Sequence, residues 1–172
     1  LLFGVVAVLL LSGNGLWQGQ ITTGDLANAI ALMLLVGFAE ELLFRGWLWG
    51  ELELLTGRQR AIGIQAAVFA LVHPWYQLPP VEAIALLMGL VLLGLALALQ
   101  RRADNGVLWG SIGLHGGLVG GWFALQAGLI TLPGTSPTWL LGAGGANPNP
   151  ISGLLGWAGL GGFILIRRRW WR

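Results

Sequence analysis

The chain has 172 residues, of which 56% are hydrophobic and only 9% are charged, whereas soluble domains carry about 25% charged residues. This balance excludes an ordinary soluble protein and predicts a polytopic membrane protein. All nine basic residues are arginine, and we interpret them, with the isoelectric point near 10.5, as a membrane-topology signal and not as nucleic-acid binding. The chain has no cysteine, which excludes disulfides, a thiolate metal site and a cysteine nucleophile.

Hydrophobic runs separated by turn-forming residues divide the chain into about six segments. Because a helix needs about 20 apolar residues to cross a bilayer, they predict an all-α polytopic transmembrane helical bundle of about six spans, in a single integral membrane domain over residues 1–172. The first, third and last runs are short and are expected to be tilted or incomplete. The first is interpreted as a trimmed helix and not as a signal peptide. The segments are roughly 1–11, 26–50, 61–75, 81–100, 106–130 and 151–166.

The arginines predict the orientation of the helices. The loops at 12–25, 74–82 and 131–150 contain no Lys or Arg, and the last, rich in Gly and Pro, is predicted to be an outer loop. The positive-inside rule places the arginine-bearing helix ends and both termini in the cytoplasm, with residues 167–172 as a cytoplasmic basic anchor at the lipid surface. We expect a prokaryotic plasma membrane or a similar bilayer, with lipid as a partner and no nucleic acid.

The second segment carries two adjacent glutamates in an otherwise apolar run, Glu40 and Glu41, followed by Arg45. Ionisable side chains at membrane depth are costly and are usually functional. Residues four apart share a helix face, whereas neighbours diverge by about 100°, so Glu41 is predicted to pair with Arg45. Glu40 then faces a different neighbour and is the candidate catalytic base.

Two histidines on other segments are predicted to reach the depth of Glu40. His73 lies about twelve residues, and Glu40 and His115 about ten residues, from the predicted inner boundary, which at about 1.5 Å per residue is about 15–18 Å. This depth is close to the middle of a hydrocarbon core about 30 Å thick. The three side chains are therefore expected to meet in one polar site near mid-membrane, in a pocket open to the cytosolic side.

Helix periodicity also predicts which residues accompany the histidines. His73 shares a face with Gln65 and Phe69. A glycine stripe on the far side of the fifth segment is expected to pack against a neighbouring helix, because small residues permit close approach. The face of His115 contains Ser111, Val119, Trp122 and Gln126, and the glycine stripe consists of Gly106, Gly110, Gly113, Gly117 and Gly121.

Three motifs on separate predicted helices resemble the signature of the CPBP intramembrane protease family, which includes the type II CAAX prenyl endopeptidases and the Abi bacteriocin-immunity proteins. The resemblance covers a motif-bearing core at about 25–130, with the family's order and spacing. The motifs are Glu40-Glu41-x-x-x-Arg45, Phe69-x-x-x-His73 and a histidine in a glycine-rich helix, His115.

This resemblance implies an endopeptidase that hydrolyses peptide bonds of membrane-associated peptides or proteins. Glu40 would be the catalytic glutamate, with Glu41 and Arg45 as its motif partners. Glu40 and His73 would activate water, and His115 would stabilise the oxyanion or bind a metal. The cofactor is either absent or a divalent metal such as zinc held by Glu40, His73 and His115; the sequence lacks the His-Glu-x-x-His zinc motif, and we favour the metal-free mechanism.

The sequence departs from the family pattern in two respects. Many members carry Asn or Asp four residues after the third histidine, where this chain has Val119, so Ser111 or a water would have to replace that donor. Eight helices are usual in the family, which suggests that one or two N-terminal helices are missing. Two alternatives follow: a non-catalytic immunity or scaffold protein of the same fold, favoured by Val119, and a proton-coupled transporter, which predicts inverted repeats that the sequence does not show.

Overall fold

The computed structural model describes the whole chain except residues 134–136, 145–146 and 172. The described part is largely helical, which confirms the predicted all-α class. The excepted residues include two parts of the predicted outer loop and Arg172 of the predicted basic anchor, so those parts of the prediction lie outside the described residues.

The helices follow the predicted hydrophobic segments, with additional short elements between them. Strands β1 and β2 pair antiparallel as a two-residue ribbon that the sequence analysis does not predict. Helix α7 lies within the predicted outer loop. The elements are α1 (Leu2–Leu11), β1 (Leu16–Trp17), α2 (Thr23–Glu41), α3 (Trp49–Thr56), α4 (Arg58–Leu71), α5 (Pro80–Ala103), α6 (Trp109–Ala124), β2 (Ile130–Thr131), α7 (Thr138–Leu141) and α8 (Leu154–Arg167).

Two helical stretches of the described chain are long and apolar enough to cross a membrane. They are Thr23–Thr56, with 34 residues, and Pro80–Ala103, with 24 residues. The predicted count of about six spans is therefore not confirmed. The other helices are shorter; α6, with 16 residues, is only about 24 Å long at about 1.5 Å per residue, less than the about 30 Å of a hydrocarbon core.

Local sequence signals explain where the two long stretches begin and end. Thr22 and Asp25 form a capping box at the start of α2, and Pro80 occupies the first turn of α5, where its missing N–H costs nothing. The sequence predicts an end of the second segment near residue 50, but helix continues to Thr56. Gly57 ends it with a φ of +83°, a conformation that side chains other than glycine rarely adopt.

Helix α5 forms the centre of the core. Leu90, Leu93 and Leu97 are buried and pack with Phe69 of α4 and Leu160 of α8. Close packing of large apolar side chains adds many small attractive contacts, which together hold adjacent helices in place. This core fixes α4 relative to α5, and α4 leads directly into His73.

Helices α2 and α6 approach each other through glycines, but not through the predicted stripe. A Cβ on Gly116 would overlap the carbonyl oxygen of Met33, and a Cβ on Gly37 would lie 2.8 Å from the Cα of Gly116. Gly113 and Gly117 of the predicted stripe have open space around the Cβ position among the described residues. The predicted stripe therefore packs only in part: Gly110 lies against Asp104 and Gly121 against Leu2, but the close contact with α2 uses Gly116, because glycines lie on every side of α6 and the pattern alone does not select one face.

We expect Gly116→Val to destabilise the protein by about 1–3 kcal/mol, the usual cost of inserting a side chain into a packed interface. Gly113→Val is the matched control, because it carries the same side chain and the same helix propensity into open space. Thermal unfolding of both variants in detergent, followed by circular dichroism, measures the difference. Equal melting temperatures for the two variants would contradict this description of the α2–α6 contact.

The arginine-bearing helix ends gather at one end of the molecule. Arg102 Nη1 donates to the carbonyl oxygens of Trp170, at 3.0 Å, and Trp171, at 2.7 Å, while Arg102 Nη2 donates to the carbonyl oxygen of Arg58 at 3.5 Å. The guanidinium of Arg101 lies 4.7 Å from the ring centre of Trp49. The ends of α3, α4, α5 and α8 thus form a common arginine-bearing end.

Candidate active site

Three different elements carry the titratable side chains of the site. Glu40 lies in the last turn of α2, His115 lies in the middle of α6, and His73 follows the end of α4. Helix α4 ends at Leu71 because Pro74 cannot continue it. The chain therefore turns immediately after the helix and leaves His73 beside the last turn of α4.

The predicted meeting of one carboxylate and two imidazoles is present in the structure. Glu40 Oε2 lies 3.8 Å from His115 Nε2 and 3.9 Å from His73 Nε2. These separations exceed a direct hydrogen bond. Glu40 Oε2 is nevertheless buried and has no hydrogen-bond partner among the described residues, so the three atoms surround a gap of about the size that a water molecule bridges.

The hydrogen bond of His73 to the backbone fixes its tautomer. Its Nδ1 lies 2.6 Å from the carbonyl oxygen of Phe69, one helical turn earlier. A carbonyl oxygen only accepts, so Nδ1 carries the proton and donates. In the neutral ring, Nε2 then presents a lone pair toward Glu40.

Glu41 fixes the tautomer of His115, as the carbonyl oxygen of Phe69 does for His73. Arg45 Nη1 donates to Glu41 Oε1 at 2.8 Å, which confirms the geometry of the predicted i, i+4 pair, and His115 Nδ1 lies 2.9 Å from the same oxygen. Glu41 and Arg45 are both fully buried, and His115 is 3% exposed. Because an arginine-paired carboxylate is an acceptor, His115 donates through Nδ1 and its Nε2 faces Glu40.

A π-helical segment, Leu42–Leu48, follows the two glutamates. A π turn contains more residues than an α turn, so it rotates the chain after it relative to the chain before it. Arg45 lies within this segment and still reaches Glu41 one turn earlier. Such segments occur frequently at functional sites, and no motif in the sequence indicates this one.

The carbonyl oxygen of Gly94 in α5 supports the buried pair from the other side. Arg45 Nη2 donates to it at 3.4 Å and Gln65 Nε2 donates to it at 3.1 Å. A Cβ on Gly94 would lie 2.9 Å from the Cα of Ala66, so glycine allows α5 to approach α4 at this level. Helix periodicity places Gln65 on the face of His73, but nothing in the sequence pattern of α5 distinguishes Gly94.

The ring of Phe69 packs against the guanidinium of Arg45 and against both imidazole rings. It is fully buried, and its centre lies 4.3 Å from the Arg45 guanidinium carbon and 4.7 Å and 5.8 Å from the rings of His73 and His115. Contact between a guanidinium and an aromatic face is attractive. Phe69 therefore contributes to the position of both imidazoles and of Arg45.

A cavity of about 370 Å³ opens from the three polar atoms. Trp122, Gln126 and residues 147–151 line its far part, on the side of the bundle away from the arginine-bearing end. The cavity therefore extends away from that end, which does not support the expectation that the pocket opens toward it. Its walls near the histidines are mostly apolar and include Leu2, Val5, Val36, Leu90, Leu93, Leu118, Val119, Leu155 and Leu160.

Neither Val119 nor Ser111 offers a hydrogen-bond donor to an oxyanion in this structure. Val119 lines the cavity one turn after His115, and its side chain has no polar atom. Ser111 is fully buried and donates to the carbonyl oxygen of Leu108 at 2.9 Å, so its hydroxyl is occupied within its own helix. The predicted replacement by Ser111 is not supported by this geometry.

The residue types of the site are suitable ligands for a metal ion, but the distances between them are too long. Zinc accepts imidazole nitrogen and carboxylate oxygen, and two ligands of a tetrahedral zinc ion stand about 3.3 Å apart. Glu40 Oε2 is 3.8 Å and 3.9 Å from the two Nε2 atoms. Among the described residues, no group of three or more His, Asp or Glu side chains has a metal-holding arrangement. This conformation therefore does not fit a bound metal.

Comparison with known proteins gives one family. The model of the family described as type II CAAX prenyl endopeptidase Rce1-like matches residues 22–120, which is more than half of the chain. The matched range contains all five residues predicted for the site, and it confirms the resemblance found in the motifs. No curated protein and no solved structure matches the chain significantly.

Proposed function

We propose, from the premise that this chain belongs to the Rce1-like family of type II CAAX prenyl endopeptidases, that it is an intramembrane endopeptidase. Members of this family are membrane proteins and proteases in general. The proposal assigns catalysis to Glu40, His73 and His115, and the positioning of His115 to Glu41 and Arg45. The substrate class is a peptide or protein in the membrane or at its surface.

One observation carries the proposal: the buried Oε2 of Glu40, which has no hydrogen-bond partner in the described part of the chain, faces the Nε2 atoms of two imidazoles whose Nδ1 atoms are already occupied. All three atoms are hydrogen-bond acceptors when the histidines are neutral. A water molecule about 2.8 Å from Glu40 Oε2 and from one Nε2 would donate both of its hydrogens. Its oxygen lone pairs would then point into the cavity, where the substrate carbonyl carbon must lie.

In the reaction, the partly exposed groups activate the water and the buried group stabilises the oxyanion. Glu40 and His73, which are 31% and 26% exposed, face the cavity and both accept hydrogen bonds from the attacking water. Glu40 takes one proton of this water as the water oxygen bonds to the carbonyl carbon. That proton passes to the leaving amine when the C–N bond breaks. When His115 carries a second proton, its Nε2 donates to the oxyanion while Glu41 keeps the ring in orientation through Nδ1; the attacking water then donates to Glu40 and to Nε2 of the neutral His73.

A library of peptides in lipid tests this function with the purified chain. We expect hydrolysis at defined peptide bonds, and we expect it to persist with a chelator, because the spacing of the site does not fit a metal. Loss of hydrolysis with the chelator and recovery with zinc would replace the metal-free mechanism by a metal-dependent one. Absence of hydrolysis for every peptide would contradict the protease function itself.

We expect Val119→Asn to raise turnover by about tenfold or more, because one oxyanion donor is worth about 10²–10³ in turnover when it is well placed. Position 119 lies one helical turn after His115 on the cavity wall. Val36→Asn is the matched control, since it introduces the same amide elsewhere on the same wall. An equal gain in both variants, or no gain at position 119, would show that an added donor beside His115 is not what limits turnover.

Val119 also favours a second candidate, a non-catalytic immunity or scaffold protein of the same fold. Such a protein would use the apolar cavity to bind a peptide or lipidated partner without cleaving it. Binding that survives substitution of Glu40, His73 and His115, with no cleavage by the unmodified chain, would favour this candidate.

For orientation, we propose that the arginine-bearing end faces the cytoplasm of a plasma membrane. The gathering of Arg58, Arg101 and Arg102 beside Trp170 at one end supports this orientation, because basic residues are retained on the cytoplasmic side. Accessibility of single cysteines introduced near Arg60 and near Gly13 to a membrane-impermeant reagent tests it.

A further inference from the structure

A second cavity, of about 400 Å³, lies at the arginine-bearing end. It is formed where the ends of α3, α4 and α5 meet the C-terminal segment, and among the described residues it shares no lining residue with the cavity at Glu40. Its volume lies within the usual range of ligand sites, about 300–1,000 Å³. The lining residues are Trp49, Glu53, Arg58, Arg101, Arg102, Asn105, Gly106 and Trp170.

The charge of this cavity is positive. It is lined by three arginines and one glutamate, which gives a formal net charge of +3 − 1 = +2. The glutamate, Glu53, lies 4.0 Å from Arg58, and both side chains are largely exposed. An exposed ion pair with this separation contributes little to stability, so Arg58 is available to a stronger anionic partner.

Buried N–H donors in the cavity lining lack an acceptor. Trp49 Nε1, Arg102 Nε and Trp170 Nε1 are inaccessible to solvent and have no hydrogen-bond partner in the part of the chain that the structure describes. Buried polar atoms without partners are uncommon in folded proteins. These three atoms are out of reach of the cavity interior, but around this positively charged cavity hydrogen-bond donors outnumber the acceptors that the described residues supply.

The frame of the cavity is held in place by Arg102. Its Nη1 donates to the carbonyl oxygens of Trp170 and Trp171, and its Nη2 donates to that of Arg58. Arg102 is 6% exposed. These bonds connect α5 to the C-terminal segment and to the start of α4. They therefore fix the relative positions of the elements that form the cavity.

We propose that this cavity binds a phosphate-bearing anion. Guanidinium groups pair with phosphate oxygens through two parallel hydrogen bonds, and Arg58 and Arg101 both line the cavity. Tryptophan and arginine concentrate at the membrane surface, where the headgroups of anionic lipids are the most abundant source of phosphate. Soluble phosphate offers the same chemistry, and the two sources are separated by experiment.

The test uses the full chain purified in detergent and native mass spectrometry as the binding measurement. One arm titrates anionic phosphatidylglycerol, with zwitterionic phosphatidylcholine of zero net charge as the comparison, and the second arm titrates inorganic phosphate in the absence of lipid. The variants are Arg58→Gln, Arg101→Gln and Glu53→Gln. Arg60→Gln is the matched control, because Arg60 is an exposed arginine at the same end that does not line the cavity.

We expect Arg58→Gln and Arg101→Gln each to weaken binding by about tenfold or more, since each removes a charge-assisted donor. Glu53→Gln should strengthen binding, and Arg60→Gln should leave it within about twofold. Saturable binding of phosphatidylglycerol alone identifies the lipid, and saturable binding of inorganic phosphate alone identifies a soluble ligand. Equal weakening by Arg60→Gln, or no binding in either arm, would overturn the proposal, because diffuse surface charge would then explain all attraction.

Discussion

Replacing Glu40 by glutamine is expected to lower the rate of peptide hydrolysis by about 10²–10⁴-fold, the usual contribution of a positioned acid–base group. The amide has the same shape as the carboxylate but cannot accept the proton of the attacking water. Glu40 Oε2 has no hydrogen-bond partner among the described residues, so the substitution removes no hydrogen bond of that oxygen. The loss should therefore appear in turnover and not in melting temperature.

Glu51→Gln is the control for this experiment, because it makes the same chemical change on an exposed residue of α3 outside the cavity. Initial rates of cleavage and thermal unfolding should be measured on both variants in the same lipid. Hydrolysis by the Glu40→Gln protein at more than a tenth of the original rate would remove Glu40 from the role of catalytic base.

The second large effect is expected from Arg45→Met. It leaves the carboxylate of Glu41 buried beside His115 without its cation, and breaking one partner of a buried ion pair usually costs about 3–5 kcal/mol. Both side chains are fully buried, so water does not replace the lost partner. We expect a large drop in the melting temperature, measured by circular dichroism in detergent, together with loss of cleavage.

The double variant Glu41→Gln with Arg45→Met separates stability from catalysis. Removing both charges relieves the uncompensated carboxylate, so most of the lost stability should return. Cleavage should stay low, because the neutral amide introduced at position 41 no longer holds Nδ1 of His115 as an ionised acceptor does. Recovery of both properties would show that the pair serves only the fold, and recovery of neither would show that the two charges do not act on each other.

The local geometry of the site was predictable because helix periodicity alone determines it. Residues four apart lie on one face, so the pairing of Glu41 with Arg45 and the separate direction of Glu40 follow from the sequence. The convergence of Glu40, His73 and His115 was predictable for another reason. Ionisable groups at membrane depth are costly when isolated, and one common site satisfies all three.

Features that depend on packing between helices were not predictable. The carbonyl oxygen of Gly94 that receives Arg45 and Gln65 belongs to the backbone, which carries no residue signature. The π-helical segment Leu42–Leu48 arises from small shifts in backbone bonding within a sequence that favours helix throughout. The span count was not confirmed because hydrophobic runs indicate burial, and burial inside a bundle and burial in lipid require the same side chains.

The direction of the cavity could not be predicted either. Its far part is lined by residues 147–151, which follow a stretch rich in Gly, Pro and Asn without helical or strand periodicity. Trp122 and Gln126 both donate to the carbonyl oxygen of Pro148, and these bonds place that segment on the cavity. Contacts between a side chain and a distant backbone oxygen leave no pattern in the sequence.

The close approach of α2 and α6 has a practical consequence for engineering this chain. Gly116 is adjacent to His115 and contacts the backbone of α2 at Met33 and Gly37, so the spacing of the two helices sets the distance over which Glu41 holds His115. A library of variants should leave Gly37 and Gly116 unchanged and can vary Gly113 and Gly117, whose surroundings tolerate new side chains. Directed evolution at the latter two positions can then change the outer surface of α6 without moving the reacting groups apart.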